Sequence, residues 1–471
     1  MAFRSPASFR DPCGVIYTSN GTLLRQVNLV YKEDYEVLVS SGLYEKLVRK
    51  NYLIPHTEVD EAPFVAESAY KVIRPERIPF ISYPYEWCFS QLKDAALLTL
   101  AIQKEALKAG MTLKDASAYN IQFHQGAPVL IDTLSFSKYI EGTPWVAYRQ
   151  FCQHFLGPLA LMSKKDVRLG KLLINHIDGI PLDLCSRLLA GTSRLNFGLL
   201  THIHLHAKTQ ARYANTSRTE IGGNPDRKLA VSKNGLLGLI DSLENTVKGL
   251  SFKVSGELWA DYYSDTNYSS EAFDAKKTTV HELVRTLKPG TVLDLGANTG
   301  VFSQEAARMV DCLVISTDID AEAVELNYQQ VKKDGRKNIL PLVLDLTNPS
   351  PSIGWDNLER DAFYLRAKAD VVLALALVHH LAIANNVPLG DIARTMAVLG
   401  EHLILEFVPK EDSQVKRLLR SRDDIFDDYT LEGLIRAFEP LFKLEDQKPV
   451  AESQRTLLLF KRKTTGNTSR P

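Results

Sequence analysis

The stretch Val292–Phe302, VLDLGANTGVF, constrains this chain more than any other. An apolar run ends in Asp294. Gly296, Asn298 and Gly300 follow, and a helical pattern, Phe302–Val310, comes next. Glycine lets the backbone turn tightly and lets a ligand approach, because no Cβ stands in the way. A strand that stops at such a turn and passes into a helix is the opening of a strand–helix–strand unit, and such units assemble parallel sheets.

The C-terminal half continues the alternation. Thr291–Leu295, Cys312–Thr317, Leu340–Leu344, Asp370–Val378, His402–Phe407, Leu441–Asp446 and Arg455–Arg462 read as strands, and Ala321–Asp334 and Leu431–Phe438 as helices. Asp370–Val378 is apolar beyond its first residue, as the centre of a parallel sheet requires. The expected fold class is α/β: a Rossmann-like, open, doubly wound sheet of seven strands, preceded by an α+β domain. Ligands of such sheets sit at the C-terminal ends of the strands.

The acids at those ends suggest a ligand. Asp294 can attract a cationic amino group. The turn GANTG lacks the third glycine of dinucleotide spacing. Asp318 stands 22 residues after Gly296, where an acid can take both ribose hydroxyls. Asp345, ending the third strand, can reach an adenine amino group. The same residues would serve another nucleotide in an ordinary Rossmann-like domain, or nothing in a degenerate scaffold.

DLGANTG, with Asp318 in STDID and Asp345 in VLDLT, resembles the motifs of class I S-adenosylmethionine-dependent methyltransferases over roughly Leu237–Lys463. The resemblance implies that Asp294, Gly296, Asn298, Gly300, Asp318 and Asp345 hold S-adenosyl-L-methionine. The sulfonium donor is already activated, so such an enzyme mainly aligns acceptor, methyl carbon and sulfur. A base helps only when the acceptor must lose a proton. His379 and His380, in LALALVHHLAIANN, occupy a place where related methyltransferases often carry histidine. Glu406, in LILEFVPKED, ends the fifth strand. These three are the candidates for catalysis on the acceptor side; the alternative is that the histidines cap the strand and Glu406 accepts backbone bonds. Trp259–Tyr268, WADYYSDTNY, would lie over the donor through Tyr262, Tyr263 and Tyr268, or would staple a helix to the sheet.

The N-terminal half mixes elements. Val15–Val27 reads as a hairpin turning at Asn20-Gly21. Ser68–Ile73 reads as a strand, Phe89–Gly110 as a helix, and Ile121–Phe123 with Pro128–Ile131 as a second hairpin. Within KDASAYNIQFHQGAPVLIDTLSF, Asp115 and Asn120 are five apart and Asp132 follows twelve later. That spacing resembles protein-kinase and aminoglycoside-kinase phosphotransferases. It implies a kinase-like domain with Asp115 as the catalytic aspartate and Asn120 and Asp132 as magnesium ligands. The pattern departs from that family in three ways. Leu113-Lys114 replaces His-Arg or His-Gly before Asp115, Thr-Leu replaces Phe-Gly after Asp132, and the first hairpin lacks a glycine-rich loop. Phosphotransfer is therefore expected to be vestigial, with the domain recognising substrate or partner. An active, bifunctional phosphotransferase and methyltransferase is the alternative reading, and a nucleotide-sensing module without catalysis is a further one. Lys71 is the candidate phosphate-binding lysine. His202, His204 and His206 alternate in THIHLHAK, but the segment reads as helical, where they would not converge, so no metal site is expected.

The whole chain also resembles a narrower group of two-part methyltransferases, the NoeA-like nodulation proteins. The resemblance rests on KDASAYNIQF, LIDTLSF, the aromatic run and LVHHLAIANNVPL. It implies a small-molecule or glycan acceptor.

Charge and cysteines narrow the class. Lys+Arg and Asp+Glu are both 56, which leaves no global field to draw nucleic acid or an anionic membrane. Five scattered cysteines without a CxxC fit a reducing compartment. MAFRSPASFRDP lacks the apolar core of a secretory signal, and the longest apolar stretch, Val371–Ala384, is too short to span a bilayer. A cytoplasmic protein with no membrane partner is expected. The expected division is 1–210 kinase-like, 211–235 a flexible linker, 236–463 the methyltransferase-like domain and 464–471 a frayed tail.

Overall fold

A computed structural model describes residues 2–207, 231–254, 270–309, 312–420 and 422–463. The chain forms two compact units. Unit 1 is Met1–Phe252 with Ser352–Asp361, and unit 2 is Lys253–Pro351 with Ala362–Pro471.

Unit 1 begins with five strands: β1 (Ala2–Arg4), β2 (Gly14–Ser19), β3 (Thr22–Asn28), β4 (His56–Val59) and β5 (Ala69–Pro75). They form an antiparallel sheet in the order β1-β2-β3-β5-β4. Asn20 and Gly21 turn the β2–β3 hairpin with φ of 48° and 80°, the left-handed pair that matches strand twist. The helix Phe89–Lys108 buries Leu92, Ala96, Leu100 and Leu107 along one face. Beyond it, β6 (Met111–Leu113) pairs with β9 (Phe136–Lys138), and β7 (Ile121–His124) with β8 (Ala127–Leu130). These pairings hold the loop that carries Asp115 and Asn120 beside the one that carries Asp132.

The expected linker needs correction at its end. Residues 208–230 lie outside the described residues, but Val231 bridges to Gly142, and Ser232 caps the helix Lys233–Gly249 by accepting the Gly235 N–H at 3.2 Å. Leu236, Ile240, Leu243 and Val247 are buried at helical spacing. Lys104 pairs with Asp241 at 2.6 Å, and Lys93 donates to the Leu250 carbonyl at 2.7 Å. This helix belongs to unit 1, so the compact units divide between Phe252 and Lys253 rather than at 235/236. Residues 464–471, expected as a tail, lie outside the described residues.

Unit 2 is a seven-stranded sheet: β10 (Thr291–Leu295), β11 (Leu313–Asp318), β12 (Ile339–Val343), β13 (Ala369–Ala374), β14 (Gly400–Phe407), β15 (Phe442–Pro449) and β16 (Thr456–Arg462). The order is β12-β11-β10-β13-β14-β16-β15. The first five in that order run parallel, and β16 is antiparallel to both β14 and β15. Val292, Val314, Val371, Leu373 and Ile404 share one core cluster at the middle of the sheet. The chain winds outward from β10 to β12, then returns to place β13 on the other side of β10. The gap beyond the C-terminal ends of β10 and β13 is therefore the switch point, where open sheets of this kind receive ligands.

The fourth strand was expected to reach Val378 and stops at Ala374. A turn with Ala376 at φ 49° follows, and then a short helix that includes His379 and His380. An apolar run does not distinguish a buried strand from the buried start of a helix. Among the described residues, no helix is long and apolar enough to cross a membrane.

Candidate functional site

The glycine turn is built by left-handed backbone at alternate positions: Gly296 at φ 71°, Asn298 at 52° and Gly300 at 81°. A Cβ on Gly300 would lie 2.4 Å from the Asn327 Oδ1, so the turn must pass bare against that side chain. A Cβ on Gly296 would meet Leu377 at 3.2 Å, which sets the turn against the segment leaving β13. The Ala297 N–H donates to the Thr317 carbonyl at 2.9 Å, tying the turn to β11.

Three acids end three adjacent strands on the same edge. Asp294 on β10 is buried, and its Oδ2 accepts the Ser303 hydroxyl at 2.6 Å. Asp318 ends β11; its Oδ2 accepts the Asn298 N–H at 2.8 Å and its Oδ1 the Asp320 N–H at 2.9 Å. Asp345 lies just past β12, where the Leu344 N–H still bonds the Asp318 carbonyl, and its Oδ1 accepts from the Thr347 N–H and hydroxyl. Burial pushes the Asp294 carboxyl up to about 6; the Ser303 hydrogen bond opposes this, the Asp318 charge adds to it, and Lys276 opposes it. Asp318 is raised above its ordinary value, also by burial, against the backbone N–H groups of Asp320 and Asn298. Asp294 and Asp318 thus lie close enough to act on one another.

On the other side of the switch point, the rings of His379 and His380 lie 4.2 Å apart. His379 is 2% exposed, and its Nδ1 has no hydrogen-bond partner among the described residues. Burial, then His380, Arg455 and Lys276, hold His379 well below the ordinary histidine value, so it is neutral at pH 7. Glu406, at the end of β14, is fully buried. Its Oε2 accepts from Lys276 Nζ at 2.6 Å, and its Oε1 lies 3.6 Å from Arg455, which also bonds Asp412 at 2.8 Å.

Lys276 and Arg455 were not picked out from the sequence. Lys276 left a signal nonetheless. It sits in the helix Ser270–Leu287 between Ala272 and Val280, on the same stripe as Val284 and Leu287, and is 3% exposed. A lysine on an otherwise buried stripe needs a counter-charge, and Glu406 supplies it. The aromatic run with Trp259, Tyr262, Tyr263 and Tyr268 lies outside the described residues.

Unit 1 also brings its three expected residues together. Asp115 accepts the Ser117 N–H at 2.9 Å. Its carboxyl is raised by burial and then by the charge of Asp132. Asp132 accepts the Leu134 N–H and the Ser135 hydroxyl, each at 2.9 Å, and Asn120 donates to that same hydroxyl at 3.3 Å. The cation here is Arg25 from β3, 2.5 Å from Asp132. Lys71, the candidate phosphate-binding lysine, lies on β5 and pairs with Glu58. The three alternating histidines lie along one helical stretch, with His202 and His206 meeting Tyr148 and His204 turned to other partners. His202 bonds Tyr148 and Ser242, His204 bonds Ser186 and Ser193, and His206 stacks on Tyr148.

The fold and the site define an open-sheet α/β protein whose switch point carries a glycine turn rimmed by carboxylates, joined to an antiparallel-sheet unit with its own acid cluster. The nodulation protein NoeA of Rhizobium meliloti (strain 1021) is 34% identical over 462 residues, 98% of this chain and 96% of NoeA, and the chain belongs to the NoeA family. No family model matches. Solved structures similar to less than half of the chain include the following three. The bifunctional kinase-methyltransferase WbdD is 14% identical over 45% of this chain and 42% of its own, with a TM-score of 0.30. A SAM-dependent methyltransferase from Aquifex aeolicus is 17% identical over 45% and 98%, at 0.30. The magnesium protoporphyrin IX methyltransferase of Synechocystis PCC 6803, solved with SAM, is 18% identical over 44% and 92%, at 0.28.

Proposed function

We propose that unit 2 is an S-adenosylmethionine-dependent methyltransferase. The observation that carries this reading is the placement of Asp294, Asp318 and Asp345 at the tips of three adjacent parallel strands, with the turn Gly296–Gly300 leaving the first of them. The antiparallel β16 also separates the sheet from the dinucleotide order, in which a sixth parallel strand continues the edge.

The residues fit the donor group by group. Asp294 offers a buried carboxylate to an ammonium. Asp318, fixed by two backbone N–H groups, presents its outer lone pairs to a ribose diol, and Asp345 faces the purine side. Bound there, the donor would supply an electrophilic methyl group. Gly296 and Gly300 keep side chains out of its path, and the segment after β13 closes the opposite wall. His379, with no partner for Nδ1 among the described residues, is the side chain proposed to take a proton from an incoming hydroxyl or amine. Glu406 serves through Lys276 rather than by touching the acceptor. The relative's name, a nodulation protein, favours a glycan or small metabolite as acceptor, and the five scattered cysteines favour a cytoplasmic setting.

Unit 1 is read as a kinase-like recognition domain without phosphotransfer. Arg25 on Asp132 neutralises the carboxylate that a magnesium ion would need.

Titration calorimetry with S-adenosylmethionine on the wild type and on Asp294→Ala tests the donor site; a methylation screen of metabolite extracts tests turnover. Wild-type binding unaffected by the substitution would remove the proposed site.

A further inference from the structure

Lys276 is a buried charged group that the reading above does not use directly. Its Nζ lies 4.5 Å from the centre of the Phe302 ring while bonding Glu406. Phe302 is the second residue of the helix Val301–Ala306, which leaves the glycine turn, and the next residue, Ser303, is the one that bonds Asp294. The lysine is therefore braced against the helical turn that holds the donor-side carboxylate. Behind it, charges alternate: Glu406 faces Lys276, Arg455 faces Glu406, and Asp412 bonds Arg455.

We propose that Lys276 is a positioning residue that keeps the Asp294 carboxylate ionised for the donor's ammonium group, and that Glu406, backed by Arg455, sets how much of the lysine's charge Asp294 receives. The inference rests on the reading of the crevice as a donor site. Two carboxylates at adjacent strand tips disfavour each other's charge. A neutral Asp294 would lose its attraction for an ammonium, and Lys276 is the cation that counters Asp318 there. The charged groups that bear on Asp294 are thus Asp318 from β11 and Lys276 from the helix Ser270–Leu287; Glu406 and Arg455 bear on Lys276 in turn. Because Asp294 stands at about 6 with the lysine in place, donor affinity should fall as pH drops through that value.

The test is titration calorimetry from pH 5 to 9 with the full chain and S-adenosylhomocysteine, which carries the same amino-acid end. Wild-type affinity is expected to fall about tenfold for each pH unit below the midpoint. Lys276→Met should move the midpoint up by at least about one unit and recover near-wild-type affinity at pH 9. Lys276→Arg should restore the wild-type profile, and Glu406→Gln should move the midpoint down. If Lys276→Met does not fold, Lys276→Met with Glu406→Gln keeps the site neutral and should shift the midpoint in the same direction by less. Methylthioadenosine, which lacks the amino-acid end, should bind all variants without this pH dependence. An unmoved midpoint, or an equal loss at every pH, overturns the role of Lys276 while leaving the donor site standing. Failure of the wild type to bind S-adenosylhomocysteine at any pH overturns the donor site itself.

Discussion

Asp294 in unit 2 and Asp132 in unit 1 both stand where an apolar strand gives way to a turn, and both have a second acid close by. Asp132 is met by a guanidinium at 2.5 Å and by two further donors, so its charge is spent inside the protein. Asp294 receives the hydroxyl and backbone N–H of Ser303 and part of the charge of a lysine that bonds Glu406, and burial still holds its carboxyl up at about 6. The comparison teaches that residue type and spacing locate a carboxylate, while its partner decides whether it is a strut or a ligand-binding group.

The largest expected effect is on binding. Asp294→Ala should weaken S-adenosylmethionine at least about 100-fold, the loss of a charge-assisted contact of roughly 3 kcal/mol, while Asp132→Ala leaves affinity unchanged. Equal losses in calorimetry would erase the distinction between the two acids. Stability should show the reverse. Asp132→Ala leaves Arg25, only 11% exposed, without its main counter-charge, and should cost unit 1 about 3 kcal/mol in urea unfolding. A cost under about 0.5 kcal/mol would mean that the pair behaves like a surface ion pair.

Asp294→Asn should stabilise unit 2 at pH 7 by up to about 3 kcal/mol. The folded carboxyl stands at about 6 against an ordinary 3.8. Between those values the folded chain keeps a proton that the unfolded chain has released, so stability falls as pH rises through the window. The full cost, at about 1.4 kcal/mol per unit, is present at pH 7 and absent below about pH 4. A stability gain from Asn that does not shrink on acidification would contradict this sign. Gly300→Ala should cost about 2 kcal/mol, because strain at φ 81° adds to a clash with Asn327. Gly335→Ala, at φ 62° in open space, should cost about 1 kcal/mol. Paired thermal melts compare the two. The smallest expected effect is none at all: millimolar ATP with magnesium should produce no binding heat. Magnesium-dependent ATP binding that Asp132→Ala abolishes would restore the phosphotransferase reading.

Most of unit 2 was legible in advance because its signals are local. Each strand is an apolar run bounded by turn residues, and Gly296, Asn298 and Gly300 announce a bend wherever they fall. Asp318 and Asp345 were legible as strand-end acids. The segment Leu375–Val378 was misread because apolar residues suit a buried strand and a buried helix equally. The helix Lys233–Gly249 was missed because its polar approach resembled a linker, although Ser232 and the stripe Leu236, Ile240, Leu243 and Val247 were there to be read.

Composition and periodicity alone determined that the chain would form a mixed antiparallel unit followed by an open α/β sheet with a carboxylate-tipped glycine turn, since hydrophobic spacing and backbone freedom act over a few residues. Only the tertiary structure decided that Arg25 meets Asp132, that Lys71 pairs with Glu58, and that Lys276 bonds Glu406 across 130 positions of chain. Such pairs are selected by what lies opposite after the core has closed, and a buried charge accepts whichever partner the packing brings within reach.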